Sequence, residues 1–391
     1  MPHLYCNPSQ ILMTIHAWSR RESSLRNSSI SLASTVLLAI TALLTVTQAH
    51  AQGCVVAHGC GLPLAMEPNY NAEQKWDVSV SYRWFQSDRH FVGTAEQTQR
   101  AAAGDQVSNR SNFMDFGLNY TFSSRYSLSL TIPYVSHDRS QVVKNSSGVI
   151  LNRFQTQASG FADLSLVGNA WVFNPENSRK GNLQFGAGLA LPTGQDDVRD
   201  AFQTFDKTSG QIVTVQRSVD QSIQPGSGGY GLVLSAYGYR LLGAGFTGFL
   251  NASYTITPQE DNGVPTFRSS VYESIMSIPD TYLARLGLDY QLAAVPGVSL
   301  SLALRVEGVP VYDLIGGSKG FRRPGYSVGI EPGLSIGRQR WSARLYVPYA
   351  IQRNRQQSVP DKQKTAATGV YSHGDAAFAD YLVMLSCSYK L

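Results

Sequence analysis

The stretch "RYSLSLTIPY", residues 125–134, alternates without a slip. Tyr126, Leu128, Leu130, Ile132 and Tyr134 fall on one side, and Ser127, Ser129 and Thr131 on the other. A period of two marks an extended strand with one apolar and one polar face. In a soluble sandwich the apolar face meets a core and the polar face bulk water. In a transmembrane barrel the apolar face meets hydrocarbon and the polar face a lumen. The rest of the chain decides between them.

Eleven further segments alternate in the same way. The twelve run over 75–86, 111–122, 125–136, 161–173, 182–193, 229–240, 245–256, 280–292, 297–308, 325–337, 339–350 and 378–391. Each is near the length a tilted strand needs to cross hydrocarbon. Five connections are short, at 123–124, 174–181, 241–244, 293–296 and Arg338. Six are long, at 87–110, 137–160, 194–228, 257–279, 309–324 and 351–377, and long alternates strictly with short. Compact soluble domains rarely carry so many long unstructured loops, whereas outer-membrane barrels combine short periplasmic turns with long outer loops. After residue 51 no helical periodicity competes with this pattern.

Seven strands place apolar or aromatic residues eight positions apart on the outward face. The pairs are Trp76 and Trp84, Met114 and Phe122, Tyr126 and Tyr134, Phe246 and Tyr254, Tyr282 and Tyr290, Trp341 and Tyr349, and Tyr381 and Tyr389. Eight residues of tilted strand rise about 20 Å, close to the apolar band of about 25 Å between two aromatic girdles. The expected fold is therefore an all-β, antiparallel, up-and-down transmembrane barrel of about twelve strands, spanning 75–391.

The inward face carries Asp77, Arg83, Asp115, Asn119, Asp163, Asn169, Arg285, Asp289, Arg305, Glu307, Glu331, Arg344 and Asp380. Charges facing lipid would be destabilising, so these side chains are expected to line the lumen. They either pair across a narrow interior and stiffen it, or border a solute path. A barrel of this size can be filled by its own side chains.

Composition decides less. The chain has 391 residues, 43% of them hydrophobic, and a formal charge of +5. That charge falls to +3 without residues 1–51, which hold Arg20, Arg21 and Arg26 against Glu22. No basic run points to nucleic acid. Residues 1–51 read as a secretory signal peptide, with a basic stretch, an apolar run from Ile30 to Val46, and small residues Ala49 and Ala51 at an A-x-A-like cleavage site. A single anchoring helix is the weaker alternative.

Residues 52–74 are then a periplasmic N-terminal segment or a short plug. Within them Cys54 and Cys60 are expected to close a small disulfide loop in an oxidising compartment. A metal site including His58 is disfavoured, because three ligands in seven residues make a poor tetrahedral cage. Cys387 lies alone on the apolar face of the last strand, which ends in "DYLVMLSCSYKL". That ending fits the signal read by the barrel assembly machinery, with Leu391 where Phe is commoner.

No catalytic, cofactor or metal motif emerges. "GGSKG" at 316–320 precedes a strand, with no helix to cradle phosphate. A lipid-acting enzyme would need Ser and His together on the outer surface. His137 in "VSHDRS" is the nearest candidate and reads better as an exposed loop histidine.

Four stretches resemble the outer-membrane family linked to the MetA pathway of phenol degradation, whose members are described as transporters. They are "GFADLSLVGNAWVF" (160–173), "FGAGLALPTGQDD" (185–197), "IQPGSGGYGLVLSAYGY" (223–239) and "RVEGVPVYDLIGGSKGFRRPGYSVGIEPGLSI" (305–336). Asp163, "LPTG" at 191–194 and "PGSG" at 225–228 carry the likeness best. The resemblance implies an outer-membrane channel for passive passage of small solutes, aromatic or otherwise hydrophobic. The alternatives are a lipid-acting enzyme and a closed structural or adhesive barrel with partner-binding loops. "SDRHFVG" (87–93) and "GFRRPG" (320–325) give the outer loops a basic and aromatic character suited to lipopolysaccharide. The loop 194–228 either shapes the rim or folds inward to constrict the lumen.

Overall fold

A computed structural model describes residues 75–391. The expected signal peptide, the segment 52–74 and the pair Cys54 and Cys60 lie outside the described residues.

Twelve antiparallel strands form the wall. They are β1 (Trp76–Val92), β2 (Ser108–Thr121), β3 (Tyr126–Lys144), β4 (Ile150–Phe161, then Leu164–Trp171), β5 (Gly181–Leu191) and β6 (Gly231–Gly243). After them come β7 (Phe246–Ile256), β8 (Thr281–Gln291), β9 (Val298–Val309), β10 (Gly325–Gly337), β11 (Trp341–Tyr346, then Tyr349–Arg355) and β12 (Ala376–Lys390). Each strand pairs with its sequence neighbour. The first and last then pair from Asp77↔Lys390 to Phe91↔Ala376, which closes the cylinder and leaves no free edge.

The two faces separate as the period-two pattern requires. Leu286, Leu302 and Leu304 are 62%, 50% and 54% exposed on the outside, while Arg305 and Glu331 are 1% and 0% exposed within. At the short-turn end the outward rings of Trp76 and Tyr120, and of Phe246 and Tyr290, lie 4.6 and 4.7 Å apart. At the long-loop end Trp84 and Tyr349 each meet Tyr381, and Tyr134 meets Phe161. These are the two girdles.

Two wall strands are broken, at Ala162–Asp163 in β4 and at Val347–Pro348 in β11. The second break faces Pro332 of β10, and the ladder there is interrupted between Gly333↔Tyr346 and Ile330↔Tyr349. Neither Pro332 nor Pro348 has an N–H to donate, so the two prolines share one gap in the ladder.

The long connections differ from the unstructured loops expected. Residues 137–160 are largely strand, because β3 and β4 continue as a hairpin from Val135↔Gly160 to Lys144↔Ile150. The 194–228 connection holds the hairpin Arg199–Asp206/Gln211–Ser218. The 257–279 connection holds the pair Asp261–Pro265/Ile275–Ser277. A helix, Val359–Thr368, sits in the last long connection with a capping box between Ser358 and Asp361. Its ten residues carry no apolar stripe, so hydrophobic periodicity could not reveal it. The cap residues in "SVPD" were the available signal.

Candidate functional site: the barrel lumen

The interior divides along its length. On the side formed by β8 to β12 and β1 it is packed. Arg285 of β8 donates from Nε to Glu331 Oε1 at 2.8 Å, and Arg305 of β9 donates from Nη1 to Glu331 Oε2 at 3.1 Å. Arg305 also donates from Nη2 to Glu307 Oε2 at 2.8 Å. The Arg285 guanidinium lies 4.8 Å from the Tyr346 ring centre. Beside this network Phe85, Phe113, Val135, Tyr346, Leu382 and Met384 form an apolar cluster inside the cylinder. A barrel with this much packed interior is no wide pore.

On the side formed by β2 to β7 a cavity remains. It runs from the short turn at Ser123–Arg125, past Trp171 and Tyr237, to a roof made by Gln221, Ser222, Met276, Ser277 and Arg323. Its wall is built from Ser127, Ser129 and Thr131 of β3 with Ser165 and Asn169 of β4, and from Gln184, Ser235, Asn251, Ser253 and Thr255 on β5 to β7. The polar face of "RYSLSLTIPY" therefore looks into this cavity. Asn169 Nδ2 donates to Ser129 Oγ at 2.8 Å, and Ser129 Oγ donates to Asn119 Oδ1 at 3.1 Å.

Of the residues expected in the lumen, Arg83, Asp115, Asn119, Asp163 and Asn169 border the cavity. Arg83 is held with its guanidinium 4.0 Å from the Phe113 ring centre. Asp115 accepts from Ser81 Oγ at 3.4 Å, and Asp77 accepts from Asn119 Nδ2 at 3.4 Å. Arg285, Arg305, Glu307 and Glu331 belong to the packed network. Arg344, opposite Ser335 and Ser386, is also buried on that side. Asp289 faces Ser301 of β9. Asp380 sits in the bulged part of the β1–β12 seam and pairs with Arg89 at 3.4 Å. Apart from Asn119 and Asn169, the hydroxyl and carboxamide wall was not singled out from the sequence, although its Ser and Thr occupy the alternate positions of the strands that were.

The cavity roof is a strap in the longest connection. Val219 and Ile223 are completely buried, and Asp220 is 1% exposed. Arg323 grips the Asp220 carboxylate with both terminal nitrogens, at 2.8 and 2.7 Å, and Arg139 of β3 stands 3.5 Å away. Burial pushes the Asp220 pKa upward, but the guanidiniums of Arg139 and Arg323 outweigh it and hold the carboxyl well below its usual range. The Asp220 side chain also caps the one-turn helix Gln221–Ile223 by accepting from Ser222 N–H.

Both ends of this connection are tied by one carboxylate. Asp163, in the break of β4, accepts from Gly194 N–H at 3.0 Å, Ser227 N–H at 2.8 Å and Ser227 Oγ at 2.6 Å. Gly194 and Gly226 meet so closely that a Cβ on Gly226 would lie 2.3 Å from the Gly194 carbonyl oxygen. The stretches "LPTG" and "PGSG" thus form a backbone clasp at the rim. The connection does both things the sequence left open: its ends shape the rim and its strap folds inward.

Two expectations are corrected by burial. His137, read as an exposed loop residue, is 1% exposed on β3, with its ring 4.9 Å from that of Phe113. The hairpin that extends β3 keeps it in the wall. The basic and aromatic residues expected at the outer surface also turn inward: Phe91, Phe321, Arg322 and Arg323 are all buried. Arg322 pairs with Asp313 at 2.7 Å, so its charge serves loop packing instead of lipopolysaccharide. Among the described residues no cluster of His, Cys, Asp and Glu is placed to hold a metal ion.

No family model matches the chain, and no curated protein matches it in sequence. Solved structures do. An outer-membrane channel of Pseudomonas putida F1 matches with a TM-score of 0.52 and 13% identity, over 83% of this chain and 99% of that one. The toluene transporter TodX of Pseudomonas putida gives 0.45 and 8%, over 87% and 96%. The translocator domain of the autotransporter NalP from Neisseria meningitidis gives 0.40 and 12%, over 83% and 91%. The first likeness is one of fold, that of an outer-membrane β-barrel.

Proposed function

We propose that this chain is a passive outer-membrane channel for small solutes. It is delivered by the signal at 1–51, with the short turns in the periplasm and the long loops outside. The observation that carries this reading is the cavity reaching from the Ser123–Arg125 turn to the strap around Asp220. A barrel with a purely structural role has no need to leave such a cavity in its interior, since packed side chains would stabilise it further. The side chains bordering the cavity set selectivity, and the strap restricts entry from outside.

Single-channel recording in planar bilayers tests this, with the full chain and with a variant lacking residues 195–222. Steady current from either supports the channel, with a larger current expected from the deletion. Silence from both leaves a closed structural barrel. The resemblance to the MetA-pathway family extends the reading to aromatic or otherwise hydrophobic solutes. Uptake of such a solute by cells with and without the gene tests that extension.

A further inference from the structure

We propose that the outer wall of the barrel carries a binding site for an anionic phospholipid of the periplasmic leaflet. Its acyl chain lies in a groove across β6 to β9, and its phosphate meets Arg240. The inference goes beyond the channel reading, takes from it only the orientation of the barrel, and holds whether or not the lumen conducts.

The groove opens on the lipid-facing side, where Leu250, Leu288, Leu302 and Leu304 are exposed along it. Two outward positions hold glycine where the adjacent strand holds leucine. Gly238 stands opposite Leu250, and Gly248 opposite Leu288. The missing side chains leave a depression between the leucines. A Cβ on Gly248 would meet its nearest neighbour, Leu242 Cδ1, at an ordinary 3.6 Å, so a side chain there does not disturb the wall. Gly248 and Leu250 fall between Phe246 and Tyr254, and Leu288 falls between Tyr282 and Tyr290. The groove therefore sits inside the apolar band, where hydrocarbon covers it.

Charge sets the headgroup end. Arg240 is exposed on β6 and pairs directly with Gly248. Its stem lies over Gly181, whose added Cβ would stand 2.9 Å from Arg240 Cδ. Among the described residues the guanidinium has no hydrogen-bond or ion-pair partner. In the adjoining turn Arg179 and Lys180 are also exposed and unpartnered, with Glu176 the one acid among residues 174–181. The next short turns, "LLGA" at 241–244 and "AAVP" at 293–296, carry no charge and expose Leu241, Leu242 and Val295. Apolar turns settle into the interface and bring these unpaired cations to the depth of the headgroup phosphates. Their excess charge favours an anionic lipid over a zwitterionic one, and the arginine fork matches phosphate geometry. With the short turns in the periplasm, the lipid at this end is phospholipid and not lipopolysaccharide.

Native mass spectrometry tests the site on the protein purified from outer membranes in detergent, titrated with phosphatidylglycerol or phosphatidylcholine of equal chain length. Phosphatidylglycerol should be held at least about tenfold more tightly, the scale of hydrogen bonds to a charged group. Arg240→Gln should abolish that preference, and Gly248→Phe, which fills the groove, should weaken retention of both lipids. Arg338→Gln, in the β10–β11 turn at the same end, should change neither. Heat-dependent gel mobility first shows that each variant is folded. Equal retention of the two lipids, a preference surviving Arg240→Gln, retention unchanged in Gly248→Phe, or an equal loss in Arg338→Gln overturns the site. Paired barrels without lipid would show that a second copy covers the groove, and would overturn it too. None of these outcomes touches the channel reading, which conductance decides separately.

Discussion

Glu331 bonds both Arg285 and Arg305, which face each other as direct partners across β8 and β9. Like charges directly opposite in a sheet destabilise it, so the carboxylate on the next strand makes that pairing tolerable. Replacing Glu331 with Gln leaves two buried guanidiniums without their shared counter-ion. The expected loss is about 3–5 kcal/mol, read as a lower unfolding temperature in the heat-dependent mobility of the detergent-solubilised barrel. An unchanged transition would show that the network does not stabilise the wall.

The strap makes a prediction about pH. Asp220 is depressed in the folded state, so its contribution is fully present above the unfolded value of about 3.9 and is lost as pH falls through the lower folded value. Current carried by the full chain should therefore be flat from pH 8 to pH 5. Asp220→Asn, which removes the charge at every pH, should raise conductance throughout that range. A strap released near pH 6 in the native chain would contradict the pairing with Arg139 and Arg323.

Asp163 predicts a local effect away from the lumen axis. Asp163→Ala removes the acceptor of the Gly194 and Ser227 amides. Their hydrogen exchange should accelerate about tenfold or more, as expected for loss of bonds to a charged group. The barrel core should exchange as before. Equal protection in the variant would mean that the glycine packing alone holds the clasp.

The lipid-facing surface gives the cleanest contrast between neighbouring residues. Leu286 points outward and Arg285 inward on the same strand. Leu286→Arg should cost about 2–4 kcal/mol, the penalty of a cation in the apolar band. Leu286→Phe should be near neutral. Refolding into lipid vesicles with denaturant titration measures both, and a tolerated arginine would place this face away from hydrocarbon.

Much of the fold was legible because alternation is a local property. Leu128 and Ser129 take opposite faces whatever the strand pairs with, and eight-residue spacing between rings needs no knowledge of neighbours. The connections were less legible. Residues 137–144 alternate less cleanly than 125–136, and there Val143 packs with Phe154 and with Phe202 of the hairpin in the 194–228 connection. The helix Val359–Thr368 buries Pro360 and Asp361 and lacks an apolar stripe. Exposure of the basic and aromatic loop residues was misread because composition cannot report which way a loop folds.

The sequence by itself determined the strands, their two faces and the rings at their ends, since period and spacing follow from backbone geometry within one segment. Tertiary structure alone decided how the lumen is divided. Glu331 between two arginines, Asp220 beneath a strap and Asp163 at the clasp each join residues from separate strands or loops. Which inward side chains meet depends on closure of the cylinder and on where long connections thread. Those contacts are non-local, and no single strand encodes them.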